Sequence, residues 1–138
     1  GLYNEDVHLY DTYLIGIRVG LSQGMAAAIA AYDDYVDDKY PVTSYSNMEN
    51  WHFVTLQRVN TLLSNALSSC DLEMFGEALH ALQDYFSHTL QGYRPGIGHL
   101  LAGGAPDIPA NNPGLYNQVI SATTNAMKQF KEKCICPK

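Results

Sequence analysis

Basic residues are scarce in this sequence, sulfur is scarcer, and long apolar runs are missing altogether. Eight Lys and Arg stand against 14 Asp and Glu, a formal net charge of −6, which is the wrong sign for holding nucleic acid by phosphate neutralisation alone. An anionic substrate would have to meet a local cation. The greasiest stretch, residues 25–31, is bounded by Gln23 and Asp33 and falls far short of the ~20 apolar residues that a transmembrane helix needs. Three cysteines, Cys70, Cys134 and Cys136, are an odd number and cannot all pair within one chain. Cys70 with Cys134 or Cys136 would tie the tail down; the Cys-x-Cys pair has no second pair to complete a zinc site and reads rather as free thiol. Sustained alternation of apolar and polar residues is also absent, so no sheet is expected. What is present is the composition of a packed globule: 138 residues, 46% hydrophobic and 16% charged, enough for one domain and one core. Five histidines in a chain this acidic and cation-poor are the raw material of a metal site.

The hydrophobic periodicity is helical throughout and predicts an all-α domain of about five helices. The first two span roughly 7–19 and 22–36, separated by Gly20, with an apolar stripe of Leu9, Tyr13 and Ile17 on the first and Ser22 as N-cap of the second. Pro41 closes this region, because proline disfavours helix at the residue before it. After a polar loop, Val54, Leu56, Val59, Leu62, Leu63, Ala66 and Leu67 mark a third helix over 51–67. A fourth, over 71–90, carries Phe75, Ala78, Leu79, Leu82 and Phe86. Residues 91–113 hold Gly92, Gly96, Gly98, Gly103 and Gly104 among Pro95, Pro106, Pro109 and Pro113. A loop of that length inside one domain is uncommon and usually functional. The fifth helix, 114–133, presents Leu115, Val119, Ala122, Ala126 and Phe130, with lysines near its C-terminus where the helix dipole favours cations.

The most chemically loaded segment is His80-x3-Asp84-x3-His88 on the fourth helix. Residues four apart lie one turn apart on one face, so an imidazole, a carboxylate and an imidazole form a ladder with ligand chemistry at ligand spacing. The other histidines have suggestive neighbours. His52 lies between Trp51 and Phe53, His8 sits early on the first helix, and His99 falls in the Gly-rich loop ahead of Asp107. The second helix ends in Asp33, Asp34, Asp37 and Asp38, a position where the dipole repels anions and a nearby cation would relieve the cost. Asp33 and Asp37 share one face, Asp34 and Asp38 the next, so one pair can turn inward while the other stays solvated.

In order along the chain, His8-x3-Thr12-Tyr13, Ala28-Ile29-Ala30, Tyr35-Val36-Asp37-Asp38, Trp51-His52-Phe53, Leu79-His80-x-Leu82-Gln83-Asp84-x-Phe86-Ser87-His88, and Gly98-His99 before Pro106-Asp107 form a series. This series resembles the zinc-dependent phospholipase C and P1-type nuclease superfamily. It is closest to the compact relatives found as C-terminal toxin domains of bacterial Rhs-type polymorphic toxins and in heterokaryon-incompatibility proteins. The resemblance covers nearly the whole chain and implies an all-α fold enclosing one to three zinc ions. It implies Asp37, His52, His80 and Asp84 as the shell of a first metal, with Asp84 bridging to a second and His8 joining it there. His88 and His99, with Asp107, would serve the remaining metal. The chain departs from the secreted family members in opening Gly1-Leu2-Tyr3 rather than with tryptophan, and in having Gly103 four residues after His99 where an acid would stand.

The expected function is therefore metal-dependent hydrolysis of a phosphodiester, with Asp37 and Asp84 as catalytic carboxylates, Asp37 doubling as general base, and Arg94 or Arg18 as phosphate contacts. Phospholipid is favoured over nucleic acid by the shortage of Lys and Arg. A secreted or delivered toxin or effector, neutralised by an immunity protein, suits the resemblance. Two other readings compete. A carboxylate–histidine bundle for iron or manganese would show paired Glu-x2-His motifs, of which only Glu77 and His80 are present. A closed structural metal site would have no catalytic role.

Overall fold

In a computed structural model of the chain, the described residues are 6–40, 51, 54–86 and 113–135. They form five α-helices preceded by a π-helical segment, Asp6–Asp11, and no strand is found among them. The helices are α1 (Thr12–Val19), α2 (Gln23–Lys39), α3 (Leu56–Ser69), α4 (Leu72–Asp84) and α5 (Pro113–Cys134). Side-chain oxygens start three of them. Ser22 Oγ accepts from the Met25 amide at 3.2 Å, Thr55 Oγ1 from Arg58 at 3.1 Å and Asp71 Oδ1 from Met74 at 2.9 Å, each satisfying a donor that the first turn leaves open. Thr55 is the reason the third helix begins at Leu56 and not at residue 51 as the hydrophobic pattern suggests. Gly20, in the left-handed region at φ 101°, turns the chain between α1 and α2.

Every residue of α4 from Phe75 to Asp84 is buried, because α2, α3 and α5 all pack against it. Its stacking partner at the apolar end is Phe130 of α5, with ring centroids 4.4 Å apart. Gly76 brings α2 closest. A Cβ on Gly76 would stand 2.6 Å from Tyr32 Cβ, 2.7 Å from the Ile29 carbonyl and 2.9 Å from the Asp33 amide. The buried residues of α2 are Ala26, Ile29, Ala30, Asp33 and Val36, small or slender apart from one acid. At the far end, Lys39 reaches Glu73 at 2.9 Å and Glu77 at 2.7 Å and ties the last turn of α2 to the first turns of α4. Those two carboxylates raise the lysine pKa above its ordinary value.

The first helix differs from its expected face. Val7, His8, Thr12, Ile15 and Gly16 are the buried residues, while Ile17 is 37% exposed. The π-helical turn rotates the stripe at its start, and Gly16 lets α1 approach Ala26 and Met127. A disulfide between Cys70 and Cys134, with Cα atoms 5.5 Å apart, joins the end of α3 to the end of α5. Among the described residues no helix is long and apolar enough to cross a membrane.

Candidate metal centre

The polar residues of the interior collect where the π-helical segment crosses α2 and α4. His8 comes from the former, Asp33 and Asp37 from α2, and His80, Gln83 and Asp84 from α4. His8, Asp33, His80 and Asp84 are at most 1% exposed, and the Asp37 side chain is 28% exposed. The two imidazoles stack with centroids 4.0 Å apart and planes 19° from parallel. His8, Asp33 and His80 each offer a ligand atom within 4.8 Å of the others and could hold a metal ion.

Each imidazole has two differently occupied edges. His8 Nδ1 donates to Gln83 Oε1 at 2.8 Å and to Asp33 Oδ1 at 3.0 Å. His80 Nδ1 donates to the backbone carbonyl of Asp33 at 2.8 Å, with Asp33 Oδ1 at 3.4 Å. The opposite edges converge: His8 Nε2 lies 3.4 Å from Asp84 Oδ1, and His80 Nε2 lies 2.9 Å from Asp84 Oδ2 and 3.4 Å from Asp37 Oδ1. Behind the histidines runs a hydroxyl and amide network. Thr12 Oγ1 contacts the Val7 carbonyl at 2.8 Å and Asp33 Oδ2 at 3.0 Å, and Gln83 Nε2 donates to Thr12 Oγ1 at 3.0 Å and Thr123 Oγ1 at 3.3 Å.

Charge decides the protonation of this cluster. Burial pulls the His8 pKa down, as does the neighbouring His80, but hydrogen bonds to Asp33 and Asp84 and the charge of Asp33 outweigh both, raising it to about 9. Burial likewise pulls His80 down and is overcome by the charge of Asp84 and contacts with Asp33, Asp37 and Asp84, which hold it well above the ordinary value. For Asp37, burial pushes upward, yet the hydrogen bond and charge of His80 prevail and lower it to about 2. His80, protonated more readily than a free imidazole, thus faces the acidic end of α2. A divalent ion would neutralise the same acids by displacing that proton.

Of the residues expected from sequence, His8, Asp37, His80 and Asp84 are brought together. Arg18 is exposed at the end of α1, roughly 15 Å along the helix axis from His8 by the usual rise per residue. His52, His88, Arg94, His99 and Asp107 lie outside the described residues. Asp33, Thr12, Gln83 and Thr123 were not singled out for roles. The signal for Asp33 was present in its spacing one turn from Asp37; for the uncharged three there was none, since a buried Thr or Gln declares itself only through its partner. Compared with protein-family models, with curated proteins and with solved structures, the chain matches none.

Proposed function

We propose that this chain is a zinc-dependent phosphodiester hydrolase of the phospholipase C kind, serving as a toxin or effector domain that is secreted or delivered. The observation that carries the reading is the convergence of two stacked imidazoles on opposite oxygens of one buried carboxylate, Asp84, with Asp37 beside it. The donor set fits a divalent ion of intermediate softness, and buried carboxylates facing imidazole nitrogens have need of positive charge. His8 and His80 would hold the ion through Nε2, with Asp84 shared between them and Asp37 at the more exposed side. By the resemblance, His52, His88, His99 and Asp107 would complete a site for up to three ions.

When bound, such an ion supplies Lewis acidity toward water and a phosphoryl oxygen. The residues of the chain orient and neutralise. Asp37, ionised far below neutral pH, is better suited to ligation and to holding a water by hydrogen bond than to taking its proton, since a base works best with a pKa near the operating pH. Its partial exposure makes it the side from which substrate would approach. Arg94 would meet the phosphate, as arginine suits that geometry. Exposed Tyr10, Leu14 and Ile17 on the rod that carries His8 support a lipid substrate over a nucleic acid, in line with the net charge of −6.

Metal content by mass spectrometry together with hydrolysis of phosphatidylcholine vesicles and of single-stranded DNA tests this. Zinc-dependent release of the phosphorylated headgroup, lost in folded Asp84→Asn protein, is expected. Cleavage of DNA but not lipid would make it a P1-type nuclease, and fully loaded protein that cuts neither would end the hydrolase reading. Burial of His8, His80 and Asp84 at 1%, 0% and 0% exposure favours a second reading, a structural metal that only closes the bundle. In that case Asp84→Asn would unfold the protein rather than silence it.

A further inference from the structure

We propose that Asp33 is a positioning residue and not a metal ligand, although it sits between the two histidines, and that with Gln83 it turns both imidazoles so that their Nε2 edges face Asp84. This rests on the metal-centre reading above and adds to it which atoms point toward the ion. Each group of the network has a fixed number of hydrogens to give. The Val7 carbonyl and the Asp33 carboxylate can only accept, so the single hydroxyl proton of Thr12 is directed at one of them, over 2.8 or 3.0 Å. Thr12 therefore accepts from Gln83, which must turn its NH2 toward Thr12 and Thr123. That leaves Gln83 Oε1 facing His8 Nδ1 at 2.8 Å. An amide oxygen only accepts, so in the neutral ring Nδ1 carries the proton and Nε2 the lone pair.

His80 reaches the same state by a shorter route, since its Nδ1 meets the backbone carbonyl of Asp33 at 2.8 Å. Asp33 thus serves both rings at once, with side chain to His8 and main chain to His80. Its second oxygen is engaged by Thr12. An ion bound to Asp33 would have to sit at the Nδ1 edges, where it would displace the N–H bonds to Gln83 and to the Asp33 carbonyl and leave the buried Gln83 oxygen without its His8 donor. On the Nε2 side an ion would displace only the protons shared with Asp84 and Asp37, and would itself neutralise those two carboxylates. Metal-bound histidines characteristically donate their other N–H to a carboxylate or backbone carbonyl in this manner.

Two measurements test the assignment. Long-range 15N–1H correlation spectra of metal-free protein, in buffer alkaline enough for neutral imidazole, should show both His8 and His80 as Nδ1–H tautomers. An Nε2–H tautomer at either ring overturns the proposal, whatever the metal does. Cobalt titration then compares Asp33→Asn with Asp84→Asn. Asparagine at 33 keeps an acceptor for His8 and the main-chain carbonyl for His80, so the visible d–d spectrum should keep its position and intensity while the cobalt Kd rises by ~10–100-fold, the usual effect of a lost supporting contact. Asp84→Asn should change the spectrum itself or abolish it. A changed band shape in Asp33→Asn, with Asp84→Asn unchanged, makes Asp33 the ligand and overturns the proposal. A wild-type chain that takes up no cobalt or zinc overturns the metal reading on which the role depends, and the tautomer result separates that failure from a wrong hydrogen-bond assignment.

Discussion

The two halves of the enclosed stretch of α4, Phe75–Asp84, are buried by opposite means. Toward its start, Phe75, Ala78 and Leu79, each with no exposed surface, pack on Phe130 and the small residues of α2. Toward its end, His80, Gln83 and Asp84 are just as enclosed, but by His8, Thr12, Asp33 and Thr123. Apolar burial is favourable wherever it occurs and asks only for shape, at roughly 25 cal/mol per Å². Burial of ionisable groups is costly unless each finds its counterpart at bonding distance. The first half of the helix therefore tolerates approximation, and the second half requires that four other elements deliver named atoms to within a few tenths of an ångström. That asymmetry is what marks the second half as a site.

The contrast can be broken most forcefully at Phe75. Phe75→Ala should lower unfolding free energy by ~3–5 kcal/mol by the same amount at every pH in urea titrations, because the ring sits in the apolar cluster against Phe130. A loss that varied with pH would mean that the halves are not separable. Gly76 belongs to the apolar half but lies against the backbone of Asp33. Gly76→Ala should cost ~1–3 kcal/mol by overpacking despite the better helix propensity of alanine, as the methyl would press on the Ile29 carbonyl and the Asp33 amide. Its distinctive mark would be a shift of the His80 Nδ1 resonance as the Asp33 carbonyl is pushed away; a stabilised variant would disprove the close approach.

The polar half should answer to pH. With the His8 pKa raised from 6.5 to about 9 in the fold, its contribution is fully present below 6.5 and is lost as pH rises through about 9. The urea midpoint of metal-free protein should accordingly fall across that window, and saturating zinc should abolish the fall by replacing the protons. A flat profile without metal would deny the histidine–carboxylate pairing. On the acid side Asp37, lowered from 3.8 to about 2, contributes above 3.8 and loses its part as pH drops toward 2, a smaller effect since its side chain is 28% exposed. Smallest of all, Thr123→Val removes one 3.3 Å contact from Gln83 and should cost about 1 kcal/mol, with Gln83 still held by Thr12.

Much of the architecture was legible from spacing. The helix count, the N-cap at Ser22 and the apolar face of α4 at Phe75, Ala78, Leu79 and Leu82 follow from a 3.6-residue period and cap chemistry, which are local properties. The pairing of His80 with Asp84 was legible for the same reason, since one turn of helix places them together. Less was legible where geometry departs from the regular helix. The π-helical turn at Asp6–Asp11 displaced the buried face of α1 from Leu9, Tyr13 and Ile17 to Val7, His8, Thr12 and Ile15. Asp33 is the instructive omission. It and Asp37 looked alike on a helical wheel, and only the close crossing at Gly76 puts the former at the centre and the latter at the rim. Cys70 had two possible partners in sequence, and the positions of the ends of α3 and α5 chose Cys134.

The sequence by itself determined an all-α chain with an acidic balance, and a helix bearing imidazole and carboxylate one turn apart. Those are consequences of composition and of periodicity within single elements. Tertiary structure alone decided that His8, 72 positions earlier than His80, stacks on it, that Asp33 rather than Asp34 faces inward, and that an uncharged glutamine fixes which nitrogen carries the proton. Hydrogen bonds act over about 3 Å and take no account of distance along the chain, so the polarity of a buried site is written only where the helices cross.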